Sequence, residues 1–283
     1  MKVHPAEVEV VCASISPQDI PITTYKLRYW RGIHSELMTH RVFSRNAGSS
    51  RARPSAAIIK QVREDPWGPL HWGKNEPGMQ ANEQIQHVVH AQDRWQWAAK
   101  HAANAAEGLR SIGLHKQVVN RVLEPFTFID VVLTATDFAN WFALRDHKDA
   151  DPTIRDLAAQ MKEAEAKCHR TLLQPGMWHL PFIRPQDTNN VINKITADGM
   201  LRKVPTDVEI TDYLLKISTA RCARTSYKAF DGLVSSIADD IALFEKLVVA
   251  QPLHASPAEH QATPDERTRF DTLTGWTETW ANP

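Results

Sequence analysis

"HSELMTHRVFSRNAGSSRARP", residues His34 to Pro54, opens like an amphipathic helix and closes as small polar residues between arginines. "HSELMTHRVF" predicts a short helix, and "NAGSSRARP" breaks it. Ser44, Asn46, Ser49, Ser50 and Arg51 crowd around Gly48, which is read here as supplying unusual backbone angles. Hydroxyls, backbone N–H groups and a guanidinium together form an anion site, because each donates to phosphate oxygens. The same composition also suits a solvated Ser/Gly loop with incidental arginines. His40 and Arg41, one turn ahead of the loop, favour the site.

The rest of the composition narrows the class. The chain has 283 residues, with 33 Lys+Arg against 33 Asp+Glu. No global field attracts nucleic acid or an anionic membrane. Cys12, Cys168 and Cys222 form no disulfide framework and no CxxC pair, so a reducing cytoplasm is expected. The start "MKVHPAEVEVV" lacks a secretory pattern. No run approaches the ~18 apolar residues of a membrane span.

Residues 8–15 and 23–30 read as strands, rich in β-branched and aromatic side chains and split by a turn-like "SPQDIP". Residues 66–80 hold too much Pro and Gly for an element and read as an ordered loop or lid. From Gln80 to Ile112 apolar residues recur at helical spacing. "KQVVNRVLEPF" begins another helix, which Pro125 ends or kinks. "IDVVLTATDFANWFALR" is apolar on most sides and predicts a buried helix. Asp151 caps a helix with Pro152 in its first turn and Pro175-Gly176 beyond its end. Two further helices are read near 205–227 and 235–251. Residues 184–205, polar and turn-rich, read as a linker.

The motifs now resemble a known family. "THRVFSRNAGSSR" is similar to the signature of flavin-dependent thymidylate synthases, Arg-His-Arg followed by Ser-x-Asn-Glu-x-Ser-x-Arg-Tyr. His40, Arg41, Ser44, Asn46, Ser49 and Arg51 match at the right spacing. Thr39, Ala47 and Ala52 stand where the family has Arg, Glu and Tyr. Downstream, "NRVLEPF" through "IRDLAAQM" resembles the family's Arg-x-x-Leu-Pro and Asn-x-Phe-x-x-Arg segments. Asn140, Phe142, Leu144, Arg145, Ala150, Ile154 and Arg155 match there, and Asp151 replaces a Gln.

Two motifs that lead the family's usual order come last in this chain. "ARCARTSY" (220–227) resembles Ala-Arg-Val-Ser-Tyr/Phe. "HASPAEHQ" (254–261) resembles His-x-Ser/Thr-Pro-Phe-Glu-His, with Ala258 for Phe. The simplest reading is a circular permutation, which close surface termini tolerate, and which points to a phage source. The permutation requires residues 217–263 to pack against 20–54.

The resemblance implies an α/β (α+β) fold, an antiparallel-containing sheet with a bundle of long helices. It implies a single catalytic domain, 1–283. Residues 1–170 would carry the signature loop and central helices, and 205–263 the family's usual N-terminal part. It also implies FAD, NADPH and methylenetetrahydrofolate, a homotetramer, and conversion of dUMP to dTMP. By carry-over, Ser49, Ser50 and Arg51 cradle the nucleotide phosphate and Arg121 makes a second contact. Arg145 is the catalytic residue, lying on the pyrimidine and stabilising charge that develops on the ring. Its bland reading is an arginine closing a helix C-terminus. His40, Arg41, Ser44, Asn46, Asn140, Ser226, His254, Ser256 and Glu259 match flavin-site positions. Without the family, "HASPAEH" is an exposed loop.

Glu36 stands where the family has a Gln near the nucleotide. A carboxylate only accepts, so it suits the amino group of cytosine. A dCMP substrate, or a hydroxymethyl product, is therefore the alternative to dUMP. The bland reading pairs Glu36 with Arg41 or His34, or with a ribose hydroxyl. His87 and His90 form HxxH with few carboxylates nearby, so no metal site is expected. Trp67, Trp72 and Trp97 are candidates to stack on flavin, folate or base, against the commoner role of core anchors. The rival from another class is a phosphate-gripping nucleic-acid module. Zero net charge and the scattered matches oppose it.

Overall fold

A computed structural model describes residues 1–78, 81, 83–198, 204–225, 235–249, 254–264 and 280–281. Its centre is a five-stranded sheet. The strands are β1 (Glu7–Ile15), β2 (Pro21–Trp30), β3 (Ser44–Ala47), β4 (Phe128–Ala135) and β5 (Thr171–Leu172). Their order is β3-β4-β2-β1-β5, antiparallel except for the parallel β1–β5 pair. The helices among the described residues are α1 (His34–Leu37), α2 (Ser55–Glu64), α3 (Val88–Ser111), α4 (Lys116–Val119), α5 (Ala139–Arg145), α6 (Pro152–Lys167), α7 (Pro185–Asp198), α8 (Asp207–Arg224) and α9 (Ile237–Phe244). The fold is therefore mixed α+β, as expected.

One sheet face is apolar. Tyr25, Leu27 and Tyr29 of β2 and Ile129, Val131 and Leu133 of β4 pack on Leu37, Phe138, Trp141, Ile154, Leu157 and Met161. A second core joins Ile58, Ile59 and Val62 of α2 to Ala99, Ala103 and Ala106 of α3. The alanines recur at four and three residues, so one side of α3 stays narrow and α2 approaches closely. The other sheet face is polar. Ser14, Thr24, Ser44, Asn46 and Thr134 are all buried there, together with His179 and His260.

Five local readings change. Residues 129–145 are not one buried helix but strand β4, a turn and helix α5. All but the first residue of β4 are buried, so no polar alternation marks it as a strand. Asp137 accepts from the Ala139 amide at 2.7 Å and starts α5. The presumed linker 184–205 contains helix α7, whose Val191 and Ile195 pack with Leu214 and Ile217 of α8. "HSELMTHRVF" is helical only over His34–Leu37, because Ser44 onward is recruited as β3 against β4. "KQVVNRVLEPF" is α4 followed by a 3-10 turn, Asn120–Phe126, that includes Pro125. The long helix α3 starts at Val88 rather than near Gln80.

Asp151 caps α6 as expected, accepting from the Thr153 and Ile154 amides at 2.8 and 3.2 Å. Helix α8 begins with a capping box between Thr206 and Glu209. At its far end Arg221 is buried in an ion-paired cluster. It donates to Asp187 of α7 at 2.5 and 3.0 Å and to Asp240 of α9 at 2.9 Å. Burial opposes its charge, but the Asp187 hydrogen bonds and charge prevail and raise its pKa. No described helix is long and apolar enough to cross a membrane.

Candidate functional site

Two neighbouring groups of residues gather the sequence motifs. The first centres on Arg145, the last residue of α5. Its Nη1 donates to Glu36 Oε2 at 3.0 Å, its Nε to His40 Nε2 at 3.1 Å and its Nη2 to Thr39 Oγ1 at 3.2 Å. Arg145 does close α5, and its guanidinium reaches beyond the helix end to these three partners. Glu36 does pair with a cation, but its partner is Arg145 rather than Arg41 or His34. Burial raises the Glu36 pKa, Asp151 adds to the rise, and Arg145 opposes it. His34 instead bonds Tyr29 Oη at 2.9 Å, and burial pushes its pKa down to about 4.

His40 is buried, stacked on Phe43 and edge-on to Trp141. Burial, and then Arg145 and Arg45, lower its pKa. The neutral ring accepts from Arg145 at Nε2, so its proton sits on Nδ1. Arg41 and Asn140, the other candidates nearby, are exposed.

The second group is a cavity lined by Arg31, Ser49, Ser50, Arg53, Glu124 and Thr225, among others. Asn120 pins its loop by donating from Nδ2 to the Ser50 and Arg53 carbonyls at 2.7 and 3.0 Å. Arg31 Nη1 donates to the Gly48 carbonyl at 3.2 Å. Arg51 is exposed and does not line this cavity; Arg31 and Arg53 do. Arg121 is exposed and donates to Glu124 at 3.3 Å. The expectation for Gly48 needs correction, because it does not adopt a positive φ. A Cβ there would sit 3.3 Å from the Asp130 carbonyl oxygen and 3.6 Å from that of Thr225. Glycine serves close approach: the Gly48 amide donates to Asp130 O at 2.7 Å.

Between these groups runs β3, covered by the 3-10 turn Ser256–His260. His260 Nδ1 lies 2.8 Å from Thr134 Oγ1, Thr134 bonds Thr24 at 2.7 Å, and Thr24 bonds His179 Nε2 at 2.9 Å. His179 Nδ1 reaches Ser14 Oγ at 2.9 Å. Burial pushes both histidines down to about 3. The Glu259 charge bears on Arg45, whose guanidinium donates to the His40 carbonyl at 2.8 Å. Ser256, Glu259 and His254 are exposed, and the His254 amide donates to Leu247 O at 2.9 Å. Ser44 and Asn46 share the buried face of β3 that this turn covers. Ser226 lies outside the described residues.

Arg31, Arg45, Arg53 and His179 escaped the sequence reading. No motif marks them, since strand pairing and the approach of distant segments bring them in. Of the tryptophans, Trp67 is buried and stacked on His4, Trp72 lies edge-on to Trp95, and exposed Trp97 meets His101 in a tilted contact.

No protein-family model matches the chain, and no curated protein sequence matches it significantly. Among solved structures, it is similar to the UMP/dUMP methylase PolB from Streptomyces cacaoi bound with 5-Br UMP. Identity is 19%, with a TM-score of 0.48, over 59% of this chain and 90% of that one. The same enzyme bound with 5-Br dUMP is similar at 20% identity and a TM-score of 0.46, over 59% of this chain and 93% of the other.

Proposed function

We propose that the chain is a flavin-dependent enzyme that methylates C5 of a pyrimidine deoxynucleotide, with dUMP as first choice and dCMP as alternative. One observation carries the reading. Three separate motif segments, around His40, Arg145 and Ser256–His260, converge on β3 and the turn before it. A circular permutation accounts for that convergence despite the reversed motif order.

Each residue then has a role set by its position. Ser49 and Ser50, with Arg31 and Arg53, receive the phosphate, and Arg51 and Arg121 stand at its exposed rim. Arg145 brings a fixed positive charge to the pyrimidine, where it stabilises negative charge on the ring. Glu36, Thr39 and His40 hold that guanidinium in one orientation. His40 Nε2 is engaged as an acceptor, so the ring orients Arg145 and does not shuttle a proton from that atom. The residues fit a flavin at Asn46 and His260, because Asn46 Nδ2 and His260 Nε2 are buried on this face without a partner among the described residues. Such atoms need a hydrogen-bond partner, and Ser44, Ser256 and Glu259 lie along the same strand and turn. When bound, reduced FAD would supply hydride and methylenetetrahydrofolate the one-carbon unit, with NADPH restoring the flavin. Exposed Val89, Trp97 and Val118 offer apolar surface for the expected homotetramer.

The test is direct. Purified protein should take up FAD stoichiometrically and release tritium from C5-labelled dUMP, with dCMP assayed beside it. Protein that ignores FAD, FMN and reduced flavin defeats the reading.

A further inference from the structure

The cavity beside Ser49 and Ser50 already holds an anion, and it belongs to the chain. Two donors and a further guanidinium converge on one oxygen, Oε1 of Glu124. Ser50 Oγ donates at 2.5 Å, Arg121 Nη1 at 3.3 Å, and Arg31 Nη2 lies at 3.5 Å. A hydroxyl with two guanidinium groups is the donor set that phosphate oxygens take. The carboxylate and the Arg31 guanidinium are both partly buried.

The surroundings suit an exchange of anions. The cradle backbone is rigid, since Asn120 clamps the Ser50 and Arg53 carbonyls. The Glu124 backbone is equally fixed, because Thr127 donates to its carbonyl from both amide and hydroxyl, at 3.2 and 2.9 Å. Only the Glu124 side chain can leave without unfolding something. Arg121 is exposed and pairs with it three residues away on the same turn, which offers a place to swing. Asp130, the other carboxylate lining the cavity, is held by Arg28 at 2.7 Å and does not compete for Arg31. Asn120 Oδ1 and Thr225 Oγ1 are buried at the cavity wall with no partner among the described residues.

We infer that Glu124 is a resident counter-anion that a phosphate monoester must displace, and that it thereby weakens and tunes the chain's hold on phosphate. A neutral hydroxyl cannot compete with a carboxylate held by Ser50, Arg31 and Arg121. A phosphate dianion brings more charge and more acceptor oxygens to the same donors. Glu124 thus holds the cradle against neutral groups and lowers the affinity for a phosphate that enters it, so it sets how tightly a nucleotide is held while a nucleoside leaves it in place. The inference rests on the nucleotide reading above, which places the phosphate in this cavity.

The test is a calorimetric titration of the full chain with inorganic phosphate, dUMP and deoxyuridine, at fixed ionic strength. Wild type, Glu124→Gln and Glu124→Ala are compared, with thermal unfolding as the check on folding. Glu124→Gln keeps the shape and leaves a carbonyl oxygen to accept from Ser50. It should tighten phosphate and dUMP binding about tenfold and leave deoxyuridine nearly unchanged, with Glu124→Ala following the same direction. Unchanged or weaker dUMP binding in both variants, with wild-type binding intact, overturns the inference and leaves the nucleotide reading standing. Failure of phosphate and dUMP to bind any of the three proteins overturns both.

Discussion

Arg145 and Glu36 stand 109 residues apart in the chain and 3.0 Å apart in the structure. The pair joins the end of α5 to the short helix that precedes β3. Both side chains are partly exposed, so the ion pair itself stabilises the fold by no more than about 1 kcal/mol. Its value lies in orientation.

Arg145→Ala should lower turnover about 100- to 1000-fold while flavin uptake stays near normal. Arg145→Lys should not rescue it, because a single ammonium cannot reproduce a fork that reaches Glu36, His40 and Thr39 together. Steady-state kinetics beside a flavin titration decide this. Near-normal turnover in Arg145→Ala would remove it from the catalytic role.

Glu36→Gln should reduce turnover without changing the dCMP/dUMP ratio, since the carboxylate is already committed to Arg145. Thermal unfolding should move little, in keeping with a half-exposed pair. A ratio shifted toward dUMP in the variant would restore Glu36 as the reader of the base.

Acid should destabilise the protein through His179 and His260. Both are held near 3, below the ordinary value of 6.5, so the unfolded chain binds protons that the folded chain refuses. Their stabilising contribution is complete above pH 6.5 and declines as pH falls toward 3. Each histidine removes about 1 kcal/mol per pH unit across that window. Urea unfolding at pH 7 and pH 5 measures the slope, and His260→Gln should flatten it by roughly one histidine's share. A flat wild-type profile would contradict the buried neutral assignment.

Asp240→Ala should cost about 3–5 kcal/mol, because it strips buried Arg221 of one partner and leaves its charge partly uncompensated. Helices α7, α8 and α9 meet at this cluster, so the loss should appear as a lower unfolding midpoint. An unchanged midpoint would mean that Asp187 alone suffices.

The mixed α+β class came with the family resemblance; the sequence by itself determined strands β1 and β2, helices α6, α8 and α9 and the Asp151 cap. Each carries a local signal: β-branched alternation, helical spacing, or a capping residue before a proline. The sequence also offered Ser49, Ser50, Glu36, His40 and Arg145 as candidates, which the fold gathers into two clusters beside β3. Tertiary structure alone decided the rest. Strand β4 hides its period because both faces are buried, and β3 exists only through its pairing with β4. Residues 185–198 are polar enough to read as linker, yet α8 gives their apolar positions a surface to cover. Arg31 and Glu124 have no local signal, because a charge meets its partner through the approach of remote segments. Local propensity fixes what a stretch prefers, whereas only the assembled sheet fixes which donors share one oxygen.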